Sequence, residues 1–287
     1  MKQAETNIRL KYARPYIPNA VFYIPFAYYY AVRLGTLPKL FSWMLIYLMP
    51  TAFYSAVGYT GSWTLFAINY ILILLAVFSI YECGYIANDT LSIRHEEQPA
   101  IRLYDYNFAH FERHKETIFC VRLFYTVLSM TILDLLNGGP GTNYTVGFSI
   151  TLMFGLFALY NHWRSRYNVW LYPFLVCSRY VPFMLLMPHP WEVWLLLFLS
   201  LPLLNALERF SMPRYRWPLM RKLIPSEESK TLFRAIYYGV VLLLTFLLVQ
   251  AKGYTYILLI PIMILCLYRV ALVFWLKKHK PENYLNG

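Results

Sequence analysis

YECGYIANDTLSIRHEEQPAIR, residues 81 to 102, closes an apolar run that begins near residue 62 and is long enough to cross ~30 Å of hydrocarbon. Its exit gathers Glu82, Asn88, Asp89, Arg94, Glu96, Glu97 and Arg102. At ~100° per residue, Glu82 and Asp89 lie about two turns apart on one helix face, with Tyr85 and Ser92 beside them. At 1.5 Å rise per residue, Glu82 sits roughly 9 Å inside the boundary, where a carboxylate is costly. It marks either a functional site or a hydrogen-bonded group that fixes helix packing.

The rest of the chain has the same character. Of 287 residues, 59% are hydrophobic, 19% aromatic and only 14% charged, a balance that a soluble domain of this size does not reach. Apolar runs of spanning length fall at about 40–58, 62–87, 116–136, 144–161, 167–187, 190–208, 231–250 and 253–277, eight in all. Residues 16–36, YIPNAVFYIPFAYYYAVRLGT, are interrupted by Pro18 and Pro25 and flanked by cations, and read as an interfacial or re-entrant helix. The alternative is a ninth span. The expected fold is an all-α, polytopic bundle of eight or nine transmembrane helices in one domain, residues 1–287. Residues 1–39 form its cytoplasmic or interfacial N-terminal segment.

Basic residues fix the orientation. Segments 1–39, 88–115, 161–166, 209–230 and the tail after 276 hold 21 Lys and Arg, against Lys252 alone in the opposite loops. Cytoplasmic loops keep the positive charge, so both termini and the long loops are expected on that side. The excess of Lys and Arg is what membrane topology requires, and no nucleic-acid partner is expected. The start of the chain lacks the basic, apolar and small-residue succession of a secretory leader. Cys83, Cys120, Cys177 and Cys266 are scattered through apolar segments and read as small hydrophobes.

Two constellations carry chemistry. In the loop 88–115, Asn88, Asp89, Glu96 and Glu97 are oxygen ligands of the kind Mg²⁺ takes together with substrate phosphates, while Arg94 and Arg102 can clamp phosphate oxygens. The loop 205–230 supplies Asn205, Glu208, Arg209, Arg214 and Arg216, a set better built for phosphate than for a second metal. Four spans separate the two loops, so both are expected on the cytoplasmic side, which allows one shared site. Taken as surfaces, the loops also read as a mixed-charge turn and a positive anchor. Within the apolar runs, Arg179 and Arg269 each need a partner, and Glu82 is the expected one. His95-Glu96 lacks the second His of a zinc protease, and no phosphate-binding G-x-x-x-x-G-K-[ST] run is present.

The order of these features resembles the UbiA superfamily of intramembrane prenyltransferases. Of that family's N-D-x-x-D-x-x-x-D motif, Asn88 and Asp89 match, Ser92 stands at the second Asp and Glu96 at the third. Pro99 and Arg102 resemble its continuation, and Glu208-Arg209 resembles a remnant of the second motif. The resemblance implies a Mg²⁺-dependent transferase acting on an isoprenyl diphosphate from the cytoplasmic side. Asp89 and Glu96 would hold the metal and Asn88 would orient it. Arg94, Arg102, Arg209 and Arg214 would bind diphosphate, with Glu208 on a second metal or the acceptor. Tyr85 would face an allylic cation. Each motif is one acid short, so two alternatives stay open: transfer of phosphoribose to a polyprenyl phosphate, and a non-catalytic isoprenoid or lipid carrier.

Overall fold

The computed structural model describes residues 16–95, 101–139, 143–163, 166–212, 215, 217–253 and 256–279. Among them the chain is helical, with no strand. In order, the helices are α1 (Leu37–Trp43), α2 (Met49–Ser55), α3 (Trp63–Thr90), α4 (Asp105–Leu136), α5 (Tyr144–His162) and α6 (Leu171–Ser178). After them come α7 (Val181–Met184), α8 (Trp191–Ser200), α9 (Pro202–Ser211), α10 (Pro218–Leu223), α11 (Glu227–Lys252) and α12 (Ile260–His279).

Among the described residues, six helical stretches are long and apolar enough to cross a membrane: Trp63–Thr90, Asp105–Leu136, Tyr144–His162, Trp191–Ser211, Ser229–Lys252 and Tyr256–Leu276. The chain is an integral membrane protein. Two of the eight expected spans are built from shorter pieces, and prolines account for the breaks. In the run 40–58, Pro50 withdraws an N–H from the ladder, and the turn before it, Met44–Leu48, winds as π-helix between α1 and α2. The run 167–187 divides into a 3-10 turn, Arg166–Trp170, then α6 and α7, with Pro173 and Pro182 each in the first turn of its helix.

The chain divides into two compact units. The first comprises Met1–Phe41, Gly61–Arg164 and Val181–Leu186, and its frame is α3, α4 and α5. Ser62 caps α3 by accepting from the Leu65 N–H, and Asn69 and Asn137 exchange amide hydrogen bonds of 2.9 and 3.1 Å, tying the start of α3 to the end of α4. The α4–α5 turn passes through Gly138 and Gly139 at φ 113° and 108°, which L side chains rarely adopt. Gly84 lets α3 and α5 approach closely: a Cβ there would lie 2.2 Å from Cγ of Phe157, and its carbonyl accepts from Asn161 Nδ2 at 2.9 Å.

Residues 17–34 fold into a hairpin against α3 and α4. It starts beside the beginning of α4, where Ile17 exchanges hydrogen bonds with the Tyr106 hydroxyl and its carbonyl accepts from Asn107. It ends beside the last turn of α3, where Arg33 meets Asp89. The C-terminal end of α3 and the N-terminal end of α4 are the same end of that helix pair, so the segment dips in and returns. A turn at Ile24–Ala27 reverses it, with Pro25 at its second position and Phe26 at φ 71° at its third. Ile17, Val21, Phe22, Tyr28 and Val32 bury their side chains against Ile86, Phe111 and Ile118.

The second unit comprises Ser42–Thr60, Ser165–Tyr180 and Met187–Gly287. Its α8–α9 span kinks at Leu201, φ −141°, because Pro202 cannot continue the ladder. The hydroxyls of Tyr237 and Tyr238, both on α11, donate to the carbonyls of Leu199 and Ser200 at 2.5 and 2.7 Å. Likewise the Tyr47 hydroxyl donates to the Arg179 carbonyl at 3.1 Å, where α6 ends.

The α3–α5 approach predicts a specific cost. Gly84→Ala should destabilise the protein by about 1–3 kcal/mol through overpacking, and Phe157→Leu in the same chain should recover most of it. Thermal unfolding in detergent micelles reads both.

Candidate functional site

The expected sharing of a face by Glu82 and Asp89 is present, and that face of α3 is turned to the hairpin of residues 17–34. Both carboxylates are completely buried. Glu82 accepts from the backbone N–H groups of Phe26 at 2.8 Å and Tyr29 at 2.6 Å, and from Nη1 of Arg122 on α4. Arg122, equally buried, also donates through Nε to the Phe22 carbonyl at 2.8 Å and through Nη2 to the Val21 carbonyl at 2.9 Å. One ion pair thus serves four backbone groups of the hairpin, two donors and two acceptors. Glu82 was expected to partner Arg179 and Arg269; its oxygens are instead turned to the hairpin and to Arg122 of α4.

About 10 Å further along α3, at 1.5 Å per residue, lies the second cluster. Asp89 accepts from Arg33 Nη2 at 2.7 Å on both oxygens, from Arg102 Nη1 at 3.1 Å, from the Tyr28 hydroxyl at 3.1 Å and from Asn88 Nδ2 at 3.1 Å. Burial first, and the Asp89 carboxylate second, push the Tyr28 phenol well above its ordinary range, so it stays a donor. Arg33 also lies over the Tyr85 ring, 4.5 Å from its centre, and Tyr29 stacks on the same residue at 5.7 Å. Tyr85, expected to face an allylic cation, thus already holds a guanidinium against its ring.

In the second unit, Glu208 on α9 is gripped in a fork by Arg234 of α11, Nε to Oε1 at 2.5 Å and Nη2 to Oε2 at 2.7 Å. Arg209 lies over the rings of Tyr172 and Tyr215 at 4.9 and 5.6 Å. Asn205, one turn before Glu208, is half-buried. Arg179 lies over Tyr47 and Tyr180 and donates to the Tyr180 hydroxyl at 2.7 Å, while the buried Arg269 lies over Tyr268 at 5.2 Å. The two motifs thus fall in different units. Glu96, Glu97, Arg214 and Arg216 lie outside the described residues, as does the side chain of Arg94.

Comparison with protein-family models, curated proteins and solved structures gives no match. The site is therefore read from its own geometry.

That geometry includes residues the sequence reading passed over: Tyr28, Arg33, Arg122 and Arg234. A signal existed for two of them. Once the loop cations are assigned, four arginines remain inside apolar runs, Arg122, Arg179, Arg234 and Arg269, and each needs a partner. Arg122 and Arg234 take Glu82 and Glu208, two of the acids that lie within or at the end of such runs.

The resemblance to UbiA proteins implies Mg²⁺ at Asn88, Asp89 and Glu96. Asp89 as it stands does not fit that ion, because a magnesium ligand must present an oxygen to an open octahedral position. Both Asp89 oxygens are enclosed and turned to two guanidiniums, a hydroxyl and an amide. Among the described residues no group of three or more His, Cys, Asp or Glu is placed to hold a metal.

Replacing a simple buried ion pair by apolar residues is often neutral, whereas removing one partner costs about 3–5 kcal/mol. Arg122→Met should show that full cost. The double variant Glu82→Met/Arg122→Met should remain destabilised, by about 1–3 kcal/mol for each backbone group left unsatisfied. Thermal unfolding, with limited proteolysis of residues 16–36 as a local readout, measures the difference.

Proposed function

We propose that the end of α3 binds the phosphate of a phosphorylated substrate, and that the protein is an intramembrane transferase that breaks a bond to diphosphate. The observation that supports this is the pair of arginines on Asp89. One enclosed carboxylate meets the guanidiniums of Arg33 and Arg102. The Arg33 and Arg102 side chains stay 19% and 33% exposed while Asp89 is enclosed. Arg33 Nε is buried without a hydrogen-bond partner. Guanidinium forks suit phosphate oxygens, and Asp89 holds both forks in place.

In this reading the arginines stabilise charge on the departing diphosphate, which leaves with the electron pair of the carbon–oxygen bond. The acceptor then forms the new bond to that carbon, and where it carries a proton on the attacking atom that proton passes to the released diphosphate. With an isoprenyl diphosphate the carbon is allylic. With phosphoribosyl diphosphate it is the ribose carbon, and the acceptor is a polyprenyl phosphate. No step is assigned to magnesium, which Asp89 does not fit.

A second reading is favoured by a different observation. Asp89 and Glu208, the acids of the two motifs among the described residues, are each paired with arginine. A frame whose acids are committed in this way suits a non-catalytic carrier of isoprenoid or other lipid.

Inorganic pyrophosphate binding to the purified chain, followed by calorimetry, tests the shared part. Arg102→Ala should weaken it at least tenfold, and wild-type affinity in that variant, shown to be folded, would remove the anion site. Release of pyrophosphate from a prenyl diphosphate or from phosphoribosyl diphosphate, with a membrane extract as acceptor, separates the two readings. Turnover supports the transferase, and binding without turnover of either donor supports the carrier.

A further inference from the structure

Arg269 is a buried guanidinium that neither cluster described above uses. On α12 it follows Ile262 and Leu265 at spacings of three and four residues, one helix face, and all three are buried, while Leu267, Val270 and Phe274 are exposed. Arg269, only 7% exposed, therefore faces the interior of the second unit. It lies seven residues before Leu276, where the apolar stretch ends, or roughly 10 Å deep at 1.5 Å per residue.

Its donors are unanswered. Arg269 Nε is buried without a hydrogen-bond partner, and none of the described residues forms a hydrogen bond or ion pair with its guanidinium. The Tyr268 ring, centred 5.2 Å from the guanidinium carbon, offers the charge a face and no acceptor oxygen. Glu208 is within electrostatic reach, as are Arg234 and Tyr238. Both Glu208 oxygens, however, are held by Arg234 at 2.5 and 2.7 Å, and the Tyr238 hydroxyl is given to the Ser200 carbonyl. Glu227 and Glu228 open α11 eleven and ten residues before Tyr238, roughly 15 Å away along the helix. A guanidinium does not shed its charge, and at this depth a charge without an anion is costly.

The chemistry of that position limits its partner. One guanidinium presents parallel N–H bonds that match two oxygens sharing a single negative charge. The phosphodiester of a phospholipid and the carboxylate of a fatty acid are such heads. Glu208, close by, penalises a second negative charge. A water-borne anion has only the ion pair to offset its lost hydration shell, whereas an amphiphile also buries apolar surface.

We infer that Arg269 holds the head of a singly charged anionic lipid, phosphodiester or carboxylate, within the second unit. This site uses none of Arg33, Asp89 and Arg102, so it stands whether or not the end of α3 binds phosphate.

The test is thermal unfolding of the full chain, delipidated in neutral detergent micelles and carrying Arg102→Ala, which disables the anion cluster on α3. Dioleoylphosphatidylglycerol, oleate and the neutral dioleoylglycerol are added separately. The expected result is a rise of at least about 4 °C with one or both anionic lipids and none with dioleoylglycerol, and the lipid that acts identifies the head. Arg269→Met, relieved of the unpartnered charge, should unfold at a higher temperature than its parent without lipid and should lose the lipid-dependent rise. Where Arg269→Met does not fold, Arg269→Lys, which keeps the charge without the fork, should lower retention of the lipid adduct at least fivefold in native mass spectrometry. No rise with either anionic lipid, an equal rise with dioleoylglycerol, or a rise that persists in Arg269→Met overturns the site. A lipid-free Arg269→Met less stable than its parent, or unchanged retention in Arg269→Lys, does the same. A rise produced by acetate or inorganic phosphate at the lipid's concentration also overturns it, since the ligand is then water-borne.

Discussion

Backbone that leaves helical geometry inside an apolar frame must have its polar groups satisfied from within the protein, and in the first unit one ion pair does so. Hydrocarbon offers no hydrogen bonds, so each stray N–H or C=O at that depth costs several kcal/mol. The hairpin of residues 17–34 has a proline turn at its tip, and its backbone turns two N–H groups and two carbonyls toward α3 and α4. A carboxylate answers the donors and a guanidinium answers the acceptors, and their attraction offsets the cost of burying both. Glu82 and Arg122 are therefore chemically matched to the break they serve. The Asp89 cluster holds the returning limb of the same hairpin.

The second unit meets the same constraint with less charge. At the Pro202 kink two tyrosines from α11 each supply a hydroxyl to a carbonyl, and Tyr47 does the same where α6 ends. Tyrosine suits the task because its ring packs among apolar neighbours while its hydroxyl donates. The chain's many aromatics are thus partly explained without a ligand.

Much of this was legible in the sequence, and what was not has a physical reason. Apolar length identified the six long helical stretches, with α3 beginning and ending within three residues of the expected run 62–87. Periodicity placed Glu82 and Asp89 on one face, because helix phase is a local property. The runs 40–58 and 167–187 were expected as spans with prolines that kink them, and Pro50, Pro173 and Pro182 lie in runs built from shorter helical pieces. Partners were the hidden part. Arg33 lies 56 residues from Asp89, and Arg122 lies 40 from Glu82, distances over which no pattern in a single sequence reports contact. The reading of Glu82 as a group that fixes packing is the one its bonds support.

The hairpin also sets an order of assembly during synthesis. Residues 17–34 leave the ribosome before α3 and α4, and the guanidinium that answers their carbonyls is Arg122, which lies 101 residues after Val21. At translation rates of roughly 5–20 residues per second, the nascent segment waits about 5–20 s for it. Its tyrosines suit residence among lipid headgroups in the meantime. Docking at depth is then a late event that closes over helices already inserted, and a chain arrested before Arg122 would leave its own beginning stranded at the membrane surface.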